Sequence, residues 1–501
     1  MLLAPLQVVT MPCAITGFGS SCTAASPIEV EPGHSVSVVF LTVVVTSLNS
    51  TNTTRDALTL HAAASASSAS LFADHETAWG RRWSQGSISV EGDLALARSA
   101  NASLYSLRSS IRHDWAFGLS PGGLASDGYN GHTFWDQETW MWPPLLMLDP
   151  LCAKSALQYR FNRQAGARLK AKQCGSPNHA YCQPSYVNAN GSLMFPWESA
   201  FTGDEVQCSG GGVGRWGKYE QHISGDISFA ARQYYYATKD REWLQSTGFP
   251  LILGVAKFYA ERATPSNVSG HYDILQVMPP DEYAYPVDNS AYTNTVASLA
   301  IAAAIELAPL VGRAAEIPSG WQDVAKGLGA RLSDVPEGSG LTGQYHPEYQ
   351  DYPELKGKEV KQADAVMLSY PFGAQMSAEV LANDLSWYDP HTNPNGPAMT
   401  WAIFAIGWFH VGNFSKASPH FLRGYCHHRH ACPYGHRLIL SCRHVTLSVC
   451  VCRYRDNMVL PFLVWRETPR GGCTPFLTGT SDVDRSAANV ICDRAKRGRA
   501  R

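Results

Sequence analysis

The stretch Ile223-Ser-Gly-Asp-Ile-Ser-Phe-Ala-Ala-Arg-Gln-Tyr234 decides the class of fold. Its apolar residues Ile223, Ile227, Ala230, Ala231 and Tyr234 fall at i, i+4, i+7, i+8 and i+11, the spacing that gathers side chains onto one face of an α-helix. The stripe returns in Ile252, Val255, Ala256 and Tyr259, in Val296, Leu299, Ala300, Ala303 and Leu307, and in Trp321, Val324, Ala325, Leu328 and Leu332. Successive amphipathic helices bury such stripes against one another, so the middle of the chain is expected to be helical. The links between the stripes carry dense aromatic and acidic groups, as in Phe134-Trp-Asp-Gln-Glu138 and Pro280-Asp-Glu-Tyr283. Helical hairpins whose linking loops converge on one end suggest an α/α toroid with a polar pocket.

Upstream, Pro27 to Leu60 holds short Val- and Thr-rich runs broken by Pro32-Gly33 and Asn49-Ser-Thr-Asn52, a strand-and-turn pattern. Residues 1–61 are expected to be the remnant of an N-terminal β domain, and 62–112 a linker, opening with the small residues Ala62 to Ser70, followed by a helical region. Downstream, Tyr425 to Met458 loses any sustained period and turns rich in His, Cys and Arg. Residues 425–458 are expected to be an insertion foreign to the fold, with the helical domain of 113–424 resuming over 459–480 and an unrelated tail at 481–501. Cys426, His427, His428, His430 and Cys432 are possible zinc ligands, but no pair among them has a recognised zinc-site spacing, so no metal is expected.

The formal charge of the 501 residues is 40 − 42 = −2, and 16% are charged, against about 25% in an average domain. That excludes an intrinsically disordered chain and a polyanion binder, so nucleic acid is not an expected partner. The most apolar run, Val36 to Val45, is about half the ~20 residues that a membrane-spanning helix needs and reads as a buried strand. No membrane association is expected. The start Met1-Leu-Leu-Ala-Pro-Leu lacks a signal peptide's basic and apolar regions, which favours the cytoplasm over the lysosome or secretion. Sequons at Asn49, Asn52, Asn101, Asn190, Asn267 and Asn413 leave the compartment open.

Several long motifs follow one another in a specific order. They are Gly131-His-Thr-Phe-Trp-Asp-Gln-Glu-Thr-Trp-Met141, Phe195-Pro-Trp-Glu-Ser199 with Thr202-Gly-Asp-Glu-Val206, Met278-Pro-Pro-Asp-Glu-Tyr283 with Asp288-Asn-Ser-Ala-Tyr-Thr-Asn294, and Lys361-Gln-Ala-Asp364. Together they resemble glycoside hydrolase family 65 from about His75 to Leu422, and the resemblance resumes at Pro461-Phe-Leu-Val-Trp-Arg-Glu467 and Phe476-Leu-Thr-Gly479. The resemblance implies a mainly α protein, an (α/α)6 barrel with a partial N-terminal β-sandwich domain, working without a cofactor. It further implies an inverting α-glucosidase that removes glucose from the glucosyl-galactosyl-hydroxylysine of collagen-type proteins, with that glycosylated substrate as its partner. A trehalose-type hydrolase or a disaccharide phosphorylase of the same family is an alternative. Against the phosphorylase stand Glu467 and the segment Gly396-Pro-Ala-Met-Thr-Trp401, which takes the place of a Ser-rich phosphate loop. A catalytically silent sugar-binding protein or a defective gene model is an alternative of another class, favoured by residues 425–458 and the loss of family pattern after Thr480.

Inverting glycoside cleavage needs a carboxylic acid to protonate the leaving oxygen and a carboxylate base about 6.5–9.5 Å away to activate water. Glu282 is the candidate acid, set between Met278-Pro-Pro280 and Tyr283 in an apolar stretch that suits a proton donor. Read alone, Asp281-Glu282 is an ordinary charge pair preceding a helix. Glu467 is the candidate base through its resemblance to the family's Val-Trp-x-Glu segment, with Arg466 at x where Thr is usual. Read alone, it is a surface partner of Arg466. Trp135 and Asp136 would stack on and hydrogen-bond a glucosyl ring; read alone they are a core Trp beside a capping Asp. Lys361 and Gln362 match the family's Lys-Gln pair, which implies that they donate to hydroxyls of the same ring.

Overall fold

The computed structural model describes residues 13–16, 19–22, 40–124, 126, 128–174, 190–209, 212–352, 359–425, 448–452, 465–467 and 473–475. Two compact units are present, Met1–Ser84 with Ile439–Arg501, and Gln85–Leu438.

The first unit contains helices α1 (Thr53–Ala66) and α2 (Leu71–Gln85). Among the described residues its strands form three pairs: Cys13–Thr16 antiparallel to Gly19–Cys22, Phe40–Val44 parallel to Ser448–Cys452, and Trp465–Glu467 antiparallel to Cys473–Pro475. Helix α1 corrects the expectation of strands to residue 61 and a linker from Ala62. Asn52 accepts the Arg55 amide at 3.0 Å as an N-cap, and the Ala-rich run that follows propagates a helix well. Leu71, His75 and Trp79, at i, i+4 and i+8, form the buried stripe of α2. The strand expected over Val36 to Val45 is present at Phe40–Val44, but it is half-buried, with Val44 45% exposed. Within the stretch expected to be a foreign insertion, Ser448–Cys452 is a strand paired with Phe40–Val44. The rest of that stretch, the tail 481–501 and most of 459–480 lie outside the described residues.

The second unit is built from helices α3 (Leu94–Ser109), α4 (Trp142–Leu148), α5 (Pro150–Asn162), α6 (Gln164–Cys174), α7 (Arg215–Tyr219), α8 (Ile223–Thr238), α9 (Arg241–Trp243), α10 (Phe249–Arg262), α11 (Ala291–Leu307), α12 (Trp321–Gly327), α13 (Ala378–Tyr388), α14 (Met399–His410) and α15 (Phe414–Tyr425). The protein is mainly helical, as the periodicity implies. Helix α8 packs on α5, α10 and α11; α10 packs on α11, α11 on α12, α13 on α14, and α14 on α15. The striped residues Ile223, Ile227, Ala231, Ile252, Val255, Ala256, Tyr259 and Val296 are fully buried. The fourth stripe ends early. Helix α12 stops at Gly327, which lies against the Gly270 carbonyl, and Leu332 is 45% exposed ahead of the short strand Ser333–Asp334. Among the described residues no helix is long and apolar enough to cross a membrane.

Close approach of α8 to α11 depends on Gly225, where a Cβ would lie 2.5 Å from Val296 Cγ1. The substitution Gly225→Ala is therefore predicted to overpack this contact and to cost about 1–3 kcal/mol. A denaturant titration measures it, and an unchanged midpoint would contradict the packing.

Candidate active site

Four chain segments converge around Glu282. The first is Trp135-Asp136, which leads into a π-helical turn at Gln137–Met141 anchored by Glu138. Both oxygens of the buried Glu138 accept from the Arg160 guanidinium at 2.9 Å, and Arg160 also donates to the Phe134 carbonyl at 2.9 Å. The second segment is α7 and the three residues that join it to α8. The third is the loop 278–290, closed by mutual amide bonds between Val277 and Val287 and hung on α7 through Met278 N to Tyr219 O at 2.8 Å. The fourth is 360–364, fixed by Val360 N to His391 O at 2.8 Å and Ala363 N to Thr400 Oγ1 at 3.1 Å.

The last two segments are tied together. Asp281 N donates to Asp364 Oδ2 at 2.9 Å, Lys361 N donates to Asp281 Oδ1 at 2.8 Å, and Gln362 Nε2 donates to the Pro280 carbonyl at 2.7 Å. Glu282 projects from this junction with both oxygens engaged. Its Oε1 is 2.6 Å from Lys361 Nζ, and its Oε2 accepts the Trp216 indole N–H at 2.5 Å.

The residues expected in the site fare differently. Glu282, Lys361 and Asp136 come together: burial, aided by the nearby charges of Glu282 and Glu138, raises Asp136 to about 6, and Lys361 opposes that rise. Trp135 is corrected. It is 3% exposed, and Trp140, His222 and Tyr292 pack edge-on around its indole at 4.8–6.0 Å, so it is a core side chain with no face for a sugar. Gln362 is also buried, and its amide is committed to the loop that carries Glu282. Glu467 belongs to the first unit, in the strand Trp465–Glu467, and its carboxyl lies outside the described residues.

Beneath the site lies a layer of titratable groups, of which Glu220, His222, Asp226 and Glu348 lie outside the quoted motifs. His222, between α7 and α8, has Nδ1 2.8 Å from Asp226 Oδ2 and Nε2 3.2 Å from Glu220 Oε1. Asp226 Oδ1 also accepts from the Tyr292 hydroxyl at 2.9 Å. Burial disfavours a charge on His222, but Asp226 and then Glu220 outweigh it and raise His222 to about 10. Burial and the nearby Glu282 raise Glu220 to about 8. Burial likewise raises Asp281 to about 6 and pushes Asp364 and Glu348 upward, each further raised by its carboxyl neighbours. The Glu220-x-His222-x3-Asp226 spacing at the start of a predicted helix was the available sign of the His222 group. Trp216 had none.

These shifts have a definite sign. A carboxyl whose pKa is higher in the folded protein binds more protons there than in the unfolded chain, so stability falls as pH rises between the two values. For this layer the loss runs from about pH 4, the unfolded carboxyl value, to about pH 8. His222, raised from 6.5 to about 10, adds a loss of the same sign from pH 6.5 upward. Replacing Asp364 by Asn removes one ionisation, so the thermal midpoint of Asp364→Asn is predicted to fall less steeply than that of the parent over pH 4–8. Parallel curves would contradict the buried assignment.

Residues 101–327 match the glycosyl hydrolase family 65 central catalytic domain. The chain is 37% identical to a protein-glucosylgalactosylhydroxylysine glucosidase of Dictyostelium discoideum, over 92% of this chain and 57% of that protein. It is 36% identical to a kojibiose hydrolase of Flavobacterium johnsoniae, over 75% of this chain and 51% of that protein. Among solved structures, a putative kojibiose phosphorylase from the human microbiome superposes with a TM-score of 0.59 at 18% identity, covering 74% of this chain and 53% of that one, and so shares the fold. The chain spans about half the length of the curated relatives that it matches. The segments that build the Glu282 site up to residue 290 lie inside the matched domain, so over that region the chain is similar to the catalytic domain of glycosyl hydrolase family 65.

Proposed function

We propose that the chain carries the catalytic part of an inverting α-glucosidase that removes glucose from glucosylgalactosyl-hydroxylysine of collagen-type proteins. The observation that carries this reading is the Glu282 carboxyl, held on one oxygen by Lys361 and on the other by Trp216, beside a second carboxyl at Asp136. The architecture that goes with it is an (α/α)6 barrel over 113–424, with a partial β-sandwich domain on its N-terminal side. The substrate class follows from the similarity to the glucosidase of Dictyostelium discoideum.

In the reaction, Glu282 passes its proton to the glycosidic oxygen as the C1–O bond breaks, and water adds to C1 from the opposite face. Once glucose has left, Lys361 pairs again with the Glu282 carboxylate as in the free protein. Asp136 accepts hydrogen bonds from glucosyl hydroxyls, and Lys361 donates to them once the substrate separates it from Glu282. A second carboxylate takes the proton of the attacking water. Direct attack of water on C1, with no glycosyl-enzyme intermediate, gives inversion.

Proton NMR of the anomeric signals during the first minutes tests this reading. An α-glucoside should release β-glucose first, in buffer free of phosphate. Initial α-glucose would contradict inversion, and glucose 1-phosphate formed only with added phosphate would favour a phosphorylase.

A further inference from the structure

A general acid must hold a proton before the glycosidic bond breaks, yet the resting site is built for the carboxylate of Glu282. Lys361 Nζ lies 2.6 Å from Oε1, and the Trp216 indole N–H donates to Oε2 at 2.5 Å. An ammonium and an indole N–H are donors only, so neither partner can accept a proton held by Glu282. The Glu282 and Lys361 side chains are 12% and 26% exposed, and water screens a partly buried pair little. Three more carboxyls lie within electrostatic reach of Glu282: Asp136 beside Trp135, Glu220 in the link between α7 and α8, and Asp281 on its own loop. Lys361 acts on all three as well. The charge of the neighbouring His222 is shared between Asp226 and Glu220. Arg215, on α7, lies over the Trp216 ring and donates to the Tyr285 hydroxyl at 2.9 Å. Lys361 is therefore the cation that balances this group of carboxyls, and withdrawing it strengthens their hold on a proton.

Building on the glucosidase reading, we infer that binding of the glucosyl unit loads the acid: its hydroxyls draw Lys361 off Oε1, and Glu282 takes up a proton from solvent at that oxygen. Trp216 keeps Oε2 as an acceptor, so the proton is placed on the oxygen that Lys361 has vacated. Glu282 then passes it to the leaving oxygen. The base returns to solvent the proton that it takes from the attacking water, so a full turnover consumes none. Acidity is thereby tied to occupancy: the empty site carries an ion pair, and the filled site carries a loaded acid.

Calorimetry of glucose binding at pH 6, in phosphate-free buffers of different ionisation enthalpy, counts the protons exchanged. Glucose is uncharged and has no glycosidic bond to cleave, so any uptake belongs to the protein. The parent should take up about one proton for each glucose bound. Glu282→Gln keeps the shape but has no carboxyl to protonate, and Lys361→Met has no cation to withdraw. Both should bind glucose without uptake, and either one suffices should the other fail to fold. A binding heat in the parent that is independent of buffer, or uptake that persists in either variant, overturns the inference while the glucosidase reading stands. A parent protein that binds no glucose also overturns it, and one that in addition leaves an α-glucoside uncleaved takes the glucosidase reading with it.

Discussion

Everything in the candidate site depends on the stitching of loop 278–290 to segment 360–364. Neither stretch is helical enough to hold a side chain rigidly by itself. Three hydrogen bonds of 2.7–2.9 Å, from the Asp281 amide, the Lys361 amide and the Gln362 side chain, join the two stretches within four residues on each side. Glu282 and Lys361 inherit their 2.6 Å separation from that junction. Gln362 therefore serves the site through the loop it holds, and Asp281, adjacent to the candidate acid, spends its carboxyl on backbone amides.

The junction has an electrostatic cost that the fold confines to a buried layer. Asp281, Asp364 and Glu348 are at most 4% exposed; burial raises all three, Asp281 further raises Asp364 and Glu348, and Asp364 further raises Glu348, so the layer favours protonated carboxyls. On the α8 side the same problem is met by pairing. His222 sits between Asp226 and Glu220, and Trp135 and Tyr292 close around the imidazole. Trp135 thus shields a buried charge. Buried polar groups of this kind stabilise only when fully partnered, and Glu220 Oε2, Asp364 Oδ1 and both Glu348 oxygens make no hydrogen bond among the described residues.

Much of the helical unit was legible because burial is periodic: apart from the partly buried Leu299, the stripe residues of α8, α10 and α11 are at most 3% exposed. Glu282 and Lys361 were legible through ordered motifs. Trp135 was misread because an indole beside a carboxylate has the same sequence signature in a core as on a sugar platform, and only exposure separates them. Helix α1 was misread because a run of Ala and Ser carries little amphipathic signal, while its Asn52 cap also reads as a turn residue. Trp216 was invisible because its role is set by a hydrogen bond across 66 residues of sequence. The same limit hides Arg215 and Tyr285, which meet across 70.

The central claim is that Glu282 delivers the proton to the leaving group. The most direct measurement is the dependence of Glu282→Gln on leaving-group ability. Loss of general acid catalysis predicts a drop of about 10²–10⁴-fold in kcat on a glucoside with a sugar leaving group. The loss on α-glucosyl fluoride should be far smaller, because fluoride departs with little help from an acid. An equal loss on both substrates, or wild-type turnover of the sugar glucoside, would contradict the account.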